Sequence, residues 1–202
     1  MSDYYDYHAT VQLVRPTVLI GLPGVDYRQV GRDTSSLTGL PFVDVDRWVE
    51  HEAGQSLYAL LSDRGAEVLE QAESRMTEKA LGSPPPGIIV LGDAALAQPT
   101  NLERALTRGF VVYFKQSLSN VYWELRRQAQ VRGGLNLPHL PQPLETVDQL
   151  RPLFELRKAA YQRAHHTIDM AETGVEGAVR QLMEALPTVP VDPEDRSLRV
   201  MK

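Results

Sequence analysis

Short apolar runs recur along the chain, separated by longer stretches in which apolar residues return every third or fourth position. The first pattern predicts buried strands and the second predicts amphipathic helices. Residues 16–20 form a β-rich run that ends at Gly21. Residues 87–91 and 109–114 are apolar throughout, as strands buried on both faces of a parallel sheet tend to be. Residues 41–43 and 167–168 supply two shorter strands. Helical spacing is clear over residues 66–81, where Val68, Leu69, Ala72, Met76 and Ala80 share a face. Further helices are expected over 118–131, over 146–164 with Pro152 near the start, and over 175–186. Strands alternating with helices imply an α/β domain with a parallel sheet and crossover helices.

Breaks in the pattern divide the chain. Residues 1–15 read as an N-terminal arm rich in tyrosine and 16–186 as one α/β domain. Residues 187–202 carry three prolines and many charges, and read as an extended or disordered tail. Residues 133–143 are rich in Gly and Pro and read as a loop.

Composition narrows the function. At 202 residues and 43% hydrophobic content, the chain is long enough for one buried core. A net charge of −5 argues against a nucleic-acid binder, which is usually basic. The absence of cysteine excludes disulfides, thiolate metal sites and a catalytic thiol. The first residues lack the basic and apolar regions of a signal peptide, and no apolar run reaches bilayer length, so a cytoplasmic protein is expected. The expected partner is a small molecule or another protein, with neither nucleic acid nor membrane involved and the oligomeric state left open.

Candidate chemistry begins where the first strand enters a helix. A helix N-terminus offers unpaired N–H groups to an anion, and a working phosphate loop reads G-x-x-x-x-G-K-[ST]. Here the segment runs Gly21-Leu-Pro-Gly24-Val-Asp26-Tyr27-Arg28. The last glycine, the lysine and the hydroxyl residue are thus replaced by Asp26, Tyr27 and Arg28. Two like charges about 4 Å apart repel by roughly 4 kcal/mol at an effective dielectric of about 20, so Asp26 opposes a phosphate. Tyr27 cannot replace an ammonium, and Arg28 cannot ligate magnesium.

Gly21-Leu-Pro-Gly24 with Val30-Gly31-Arg32 resembles the loop and first helix turn of the shikimate kinases, a family of P-loop small-molecule kinases. The likeness runs from residue 17 to about 186. It implies a P-loop NTPase-like three-layer sandwich with a five-stranded parallel sheet in the order 2-3-1-4-5, and a lid at about 132–144. Phe42-Val-Asp44-Val-Asp46 resembles the family's strand-two motif, which implies that Asp44 helps hold magnesium and Asp46 a substrate hydroxyl. Asp46 also reads as a helix cap. Where the family grips the substrate carboxylate with an arginine, this chain has Glu70, and where it has a glycine triplet, this chain has Asp93, Ala94 and Ala95. Arg157, four residues before Tyr161, matches a second substrate-carboxylate arginine, though it also reads as a solvated helical residue. Arg126 or Arg127 falls where the family sets an arginine against adenine, and Arg132 or His139 stands in for its lid arginine.

With several site positions altered while the spacing persists, the expectation is a shikimate-kinase-like binding or regulatory module without normal ATP-dependent activity. No cofactor or metal is then expected. The alternative is an active atypical kinase of shikimate or a related metabolite, which would use magnesium-ATP. A further alternative is an oligomeric interaction protein built on the tyrosine arm and the tail. The adjacent His165 and His166 read as strand-end residues rather than metal ligands.

Overall fold

The computed structural model describes residues 11–132, 134, 135, 137, 140 and 143–189. Five parallel strands form one sheet in the order β2-β3-β1-β4-β5. They are β1 (Thr17–Gly21), β2 (Phe42–Asp44), β3 (Ile88–Val90), β4 (Phe110–Lys115) and β5 (His166–Asp169). The class, the strand order and the five strand positions agree with the sequence reading. Registers such as Leu19 opposite Val90 and Val112 bring β1, β3 and β4 together at the centre. All five residues of β1 are buried, because paired strands lie on both sides and helices flank the sheet. This explains the unbroken apolar character of the central runs.

The helices are α1 (Tyr27–Thr38), α2 (Val45–Ala53), α3 (Leu57–Arg64), α4 (Ala66–Gly82), α5 (Asp93–Leu96), α6 (Pro99–Arg108), α7 (Leu118–Arg132), α8 (Arg151–Gln162) and α9 (Met170–Ala185). Helices α3, α5 and α6 were not legible as separate elements. Helix α3 opens on Ser56, whose hydroxyl accepts from the Ala59 N–H, and α6 opens with Pro99 in its first turn. The helix expected over 146–164 is divided. Residues Val147–Leu150 form a 3₁₀ turn, and α8 begins at Arg151 because Pro152 is tolerated only in a first turn. Helix α9 is broken at Gly174 (φ 60°, ψ −171°), so its regular part begins where the apolar spacing does.

Residues beside the expected boundaries are paired. Leu13 bridges Thr188 in antiparallel fashion, with Val14 N–H donating to Pro187 O and Val189 N–H to Gln12 O. The early tyrosines and the tail beyond residue 189 lie outside the described residues. Among the described residues, no helix is long and apolar enough to cross a membrane.

Candidate functional site

The carboxyl ends of β1, β2 and β3 point their connecting turns at one region, as parallel sheets of this kind do. After β1 the chain turns through Gly24, whose φ of 85° suits glycine, and enters α1 with Asp26 at the cap position. Asp26 makes no side-chain cap hydrogen bond and is exposed. Loss of some water and the nearby Glu124 push its carboxyl above the ordinary range, while Arg127 opposes them.

Tyr27 turns into the protein instead of toward solvent. It is 2% exposed, its ring stacks on Phe114 at 6.2 Å, and its hydroxyl donates to Leu91 O at 3.4 Å. Its phenol is held neutral by burial. Arg28, on the next position of α1, reaches the end of β2. Its Nη1 donates to Asp44 Oδ1 at 2.5 Å, and its Nη2 bonds Asp46 Oδ2. One guanidinium therefore bridges both carboxylates of the Asp-x-Asp pair.

The two carboxylates of that pair come from different elements. Asp44 closes β2 and is the cap residue of α2, whereas Asp46 lies in the first helical turn. The cap reading of Asp46 is thereby corrected: the strand ends at Asp44, and Asp46 follows it inside the helix. Asp46 also fills space beside the turn after β3. A Cβ placed on Gly92 would lie 2.1 Å from its carboxylate oxygens, so only glycine allows this approach. Burial pushes the Asp46 carboxyl upward, Arg28 opposes that shift, and Asp44 adds to it.

Asp93 follows Gly92 at the start of α5. Standing where the resemblance implied a glycine triplet, it forms a buried ion pair with Arg157 of α8. Arg157 Nε donates to Asp93 Oδ1 at 2.9 Å and its Nη2 to Oδ2 at 3.2 Å. Arg157 is 6% exposed, which corrects the solvated reading. Tyr161, one turn further along α8, is buried and stacks its ring on Tyr113 at 4.2 Å.

Other expected site residues lie elsewhere. Glu70 is exposed on α4. Arg127 bonds Glu124 on its own helix, and Arg126 Nη1 donates to the Tyr122 hydroxyl at 3.1 Å. The side chain of Arg132 and all of His139 lie outside the described residues. His165 Nδ1 accepts from the Val111 N–H, a strand-end role. Among the described residues, no three His, Asp or Glu side chains are grouped to hold a metal ion.

The sequence reading missed Glu73. It lies on the buried face of α4 with Leu69, Ala72 and Met76, and is 1% exposed. Gln98 Nε2 donates to its Oε2 at 3.0 Å. Burial first, and then the charge of Asp46, push its carboxyl up to about 8. A charged residue spaced among the apolar positions of a helix was the available signal.

A sequence model of the Shikimate kinase family matches residues 24–187. Among curated relatives, the shikimate kinase of Paracidovorax citrulli is 31% identical over 157 residues, covering 77% of this chain and 82% of its own. The shikimate kinase of Symbiobacterium thermophilum is 29% identical over 170 residues, covering 84% of this chain and 94% of its own. A solved shikimate kinase from Acinetobacter baumannii, in complex with shikimate, superposes with a TM-score of 0.72 at 22% identity, covering 85% of this chain and 92% of that one.

Proposed function

The chain belongs to the shikimate kinase family, and from that premise we propose that it is a member that binds a small polar molecule without ordinary magnesium-ATP-dependent phosphoryl transfer. One observation carries this reading: Arg28 bridges Asp44 and Asp46. A divalent cation between these carboxylates would meet a guanidinium already hydrogen-bonded to both. The donor set present here does not fit magnesium, and no step is assigned to the metal. The loop does not fit a triphosphate either. Where the motif calls for an ammonium it carries Tyr27, whose hydroxyl is directed to Leu91 O in the interior, and Asp26 adds a negative charge at the helix entrance.

The second reading is an active phosphotransferase with an alcohol acceptor, using magnesium-ATP. Taken by themselves, the comparisons favour it, since the relatives are shikimate kinases matched over most of both chains. Under that reading Arg28 would have to leave the carboxylate pair when nucleotide arrives.

Calorimetric titration with magnesium-ATP, followed by a coupled assay with shikimate, separates the two. The expected result is no saturable heat and no turnover. Micromolar binding accompanied by phosphoryl transfer to shikimate would establish the kinase reading in its place.

A further inference from the structure

Arg157 is a cation on the buried side of α8, where Leu153, Ala160 and Tyr161 lie three or four residues away. A guanidinium in such a place needs an anion, because an unpaired buried charge is strongly unfavourable. Asp93, the one charged residue of α5, supplies it. The two side chains are 8% and 7% exposed. Nε and Nη2 of the arginine donate to the two carboxylate oxygens at 2.9 Å and 3.2 Å. Two N–H···O bonds from one edge of the fork are the arrangement by which arginine takes up a free carboxylate. Asp93 is held firmly in this position. All four residues of α5 are buried, and Gly92 before it lies against the Asp46 carboxylate. Asp44 and Asp46 are themselves bonded to Arg28, so they do not take its place.

Building on the reading of this region as a small-molecule site, we propose that Asp93 is a specificity-determining residue: its carboxylate stands in for that of a ligand on Arg157 and closes this part of the site to acids. A ligand carboxylate would have to displace a group of its own kind that is already bonded to the guanidinium. The internal group is the stronger competitor, because it is tethered and loses no translational freedom on pairing. A ligand of this site is therefore uncharged where it meets α8. The same geometry makes the exclusion reversible by a single substitution. Without the Asp93 carboxylate, the arginine edge faces a hollow of the shape that the missing group filled, and a small free carboxylate fits it.

The test melts the full-length parent, Asp93→Ala, Asp93→Asn and the double variant Asp93→Ala/Arg157→Met in sodium formate, with sodium chloride of equal ionic strength as control. At a tenfold excess over its dissociation constant, formate should raise the melting temperature of Asp93→Ala by about 3–6 °C. The other three should not respond, because the hollow is filled in the parent and in Asp93→Asn, and the guanidinium is gone in the double variant. Where Asp93→Ala is unfolded in chloride, recovery of its near-ultraviolet circular dichroism in formate is the same readout, and no recovery overturns the proposal. Specificity is read by calorimetry, without formate, using shikimate and its uncharged methyl ester. Asp93→Ala should prefer the acid by about tenfold or more, the worth of a charged hydrogen bond, and the parent should give no saturable heat with the acid. A formate response shared by Asp93→Asn or the double variant, no preference for the acid in Asp93→Ala, or acid binding by the parent overturns the proposal. Such a failure, with magnesium-ATP still inert, leaves the non-kinase reading standing. Magnesium-ATP turnover removes that reading whatever formate does.

Discussion

The interior of the sheet and the rim at its carboxyl ends are built on opposite principles. In the interior, Val18, Leu19, Ile20, Val111, Val112 and Phe114 are wholly buried, and each is held by many interchangeable apolar contacts. At the rim, Asp44, Asp93, Glu73 and Arg157 are also buried, but they are held by specific polar or charged partners. A core position tolerates another residue of similar volume, whereas a rim position changes sign of charge or loses its partner with a single substitution. The family fold therefore rests on an apolar interior, while its rim is held by specific charge pairs.

The largest effect that tests this contrast concerns Asp93. Its replacement by alanine leaves Arg157 buried and uncompensated, at an expected cost of about 3–5 kcal/mol. Adding Arg157→Met to that variant should recover most of the loss. Phe114→Ala should cost a similar ~3–5 kcal/mol through a cavity, and no rim substitution should recover it. Urea denaturation of the four proteins checks both expectations. If the double variant is no more stable than Asp93→Ala, the rim does not rest on pairwise charge compensation.

A somewhat smaller effect concerns pH. In the folded protein the Glu73 carboxyl is pushed up to about 8 from an ordinary 4.5, with burial as the main cause. Between these values the folded state binds the proton that the unfolded state releases. Stability should therefore fall as pH rises from about 5 to about 8, by on the order of 2–4 kcal/mol, and level off above that. Glu73→Gln, which keeps the shape without the charge, should lack this slope and exceed the parent in stability at pH 8. Parallel pH-stability profiles for the two proteins would refute the assignment.

The smallest effect concerns Arg28. Millimolar magnesium should leave the melting temperature of the parent unchanged. In Arg28→Ser, with the Asp44 and Asp46 carboxylates released, it should raise the melting temperature by about 2–4 °C, corresponding to about 1 kcal/mol of binding free energy. A magnesium response in the parent would show that the guanidinium yields to the metal.

Much of the framework was legible because periodicity records burial directly. Strands β1, β3 and β4 announced themselves as unbroken apolar runs, and Gly21-Leu-Pro-Gly24 marked the turn after β1. The candidate site was legible as a set of positions: Arg28, Asp44, Asp46, Asp93 and Arg157 were all singled out. Their pairings were not legible, because Arg28 and Asp44 are 16 residues apart and Asp93 and Arg157 are 64 apart. Glu73 was passed over because a glutamate on a helix is ordinarily a solvated residue.

The sequence by itself determined the α/β class, the places where strands turn into helices and the identities of the side chains at the loop after β1. Those properties follow from local spacing and from the chemistry of single residues. Only the tertiary structure decided that Tyr27 points inward, that Arg28 closes on two aspartates and that Asp93 neutralises Arg157. Such choices depend on distance and on the exclusion of water, and both are set when helices far apart in the chain meet at the end of the sheet.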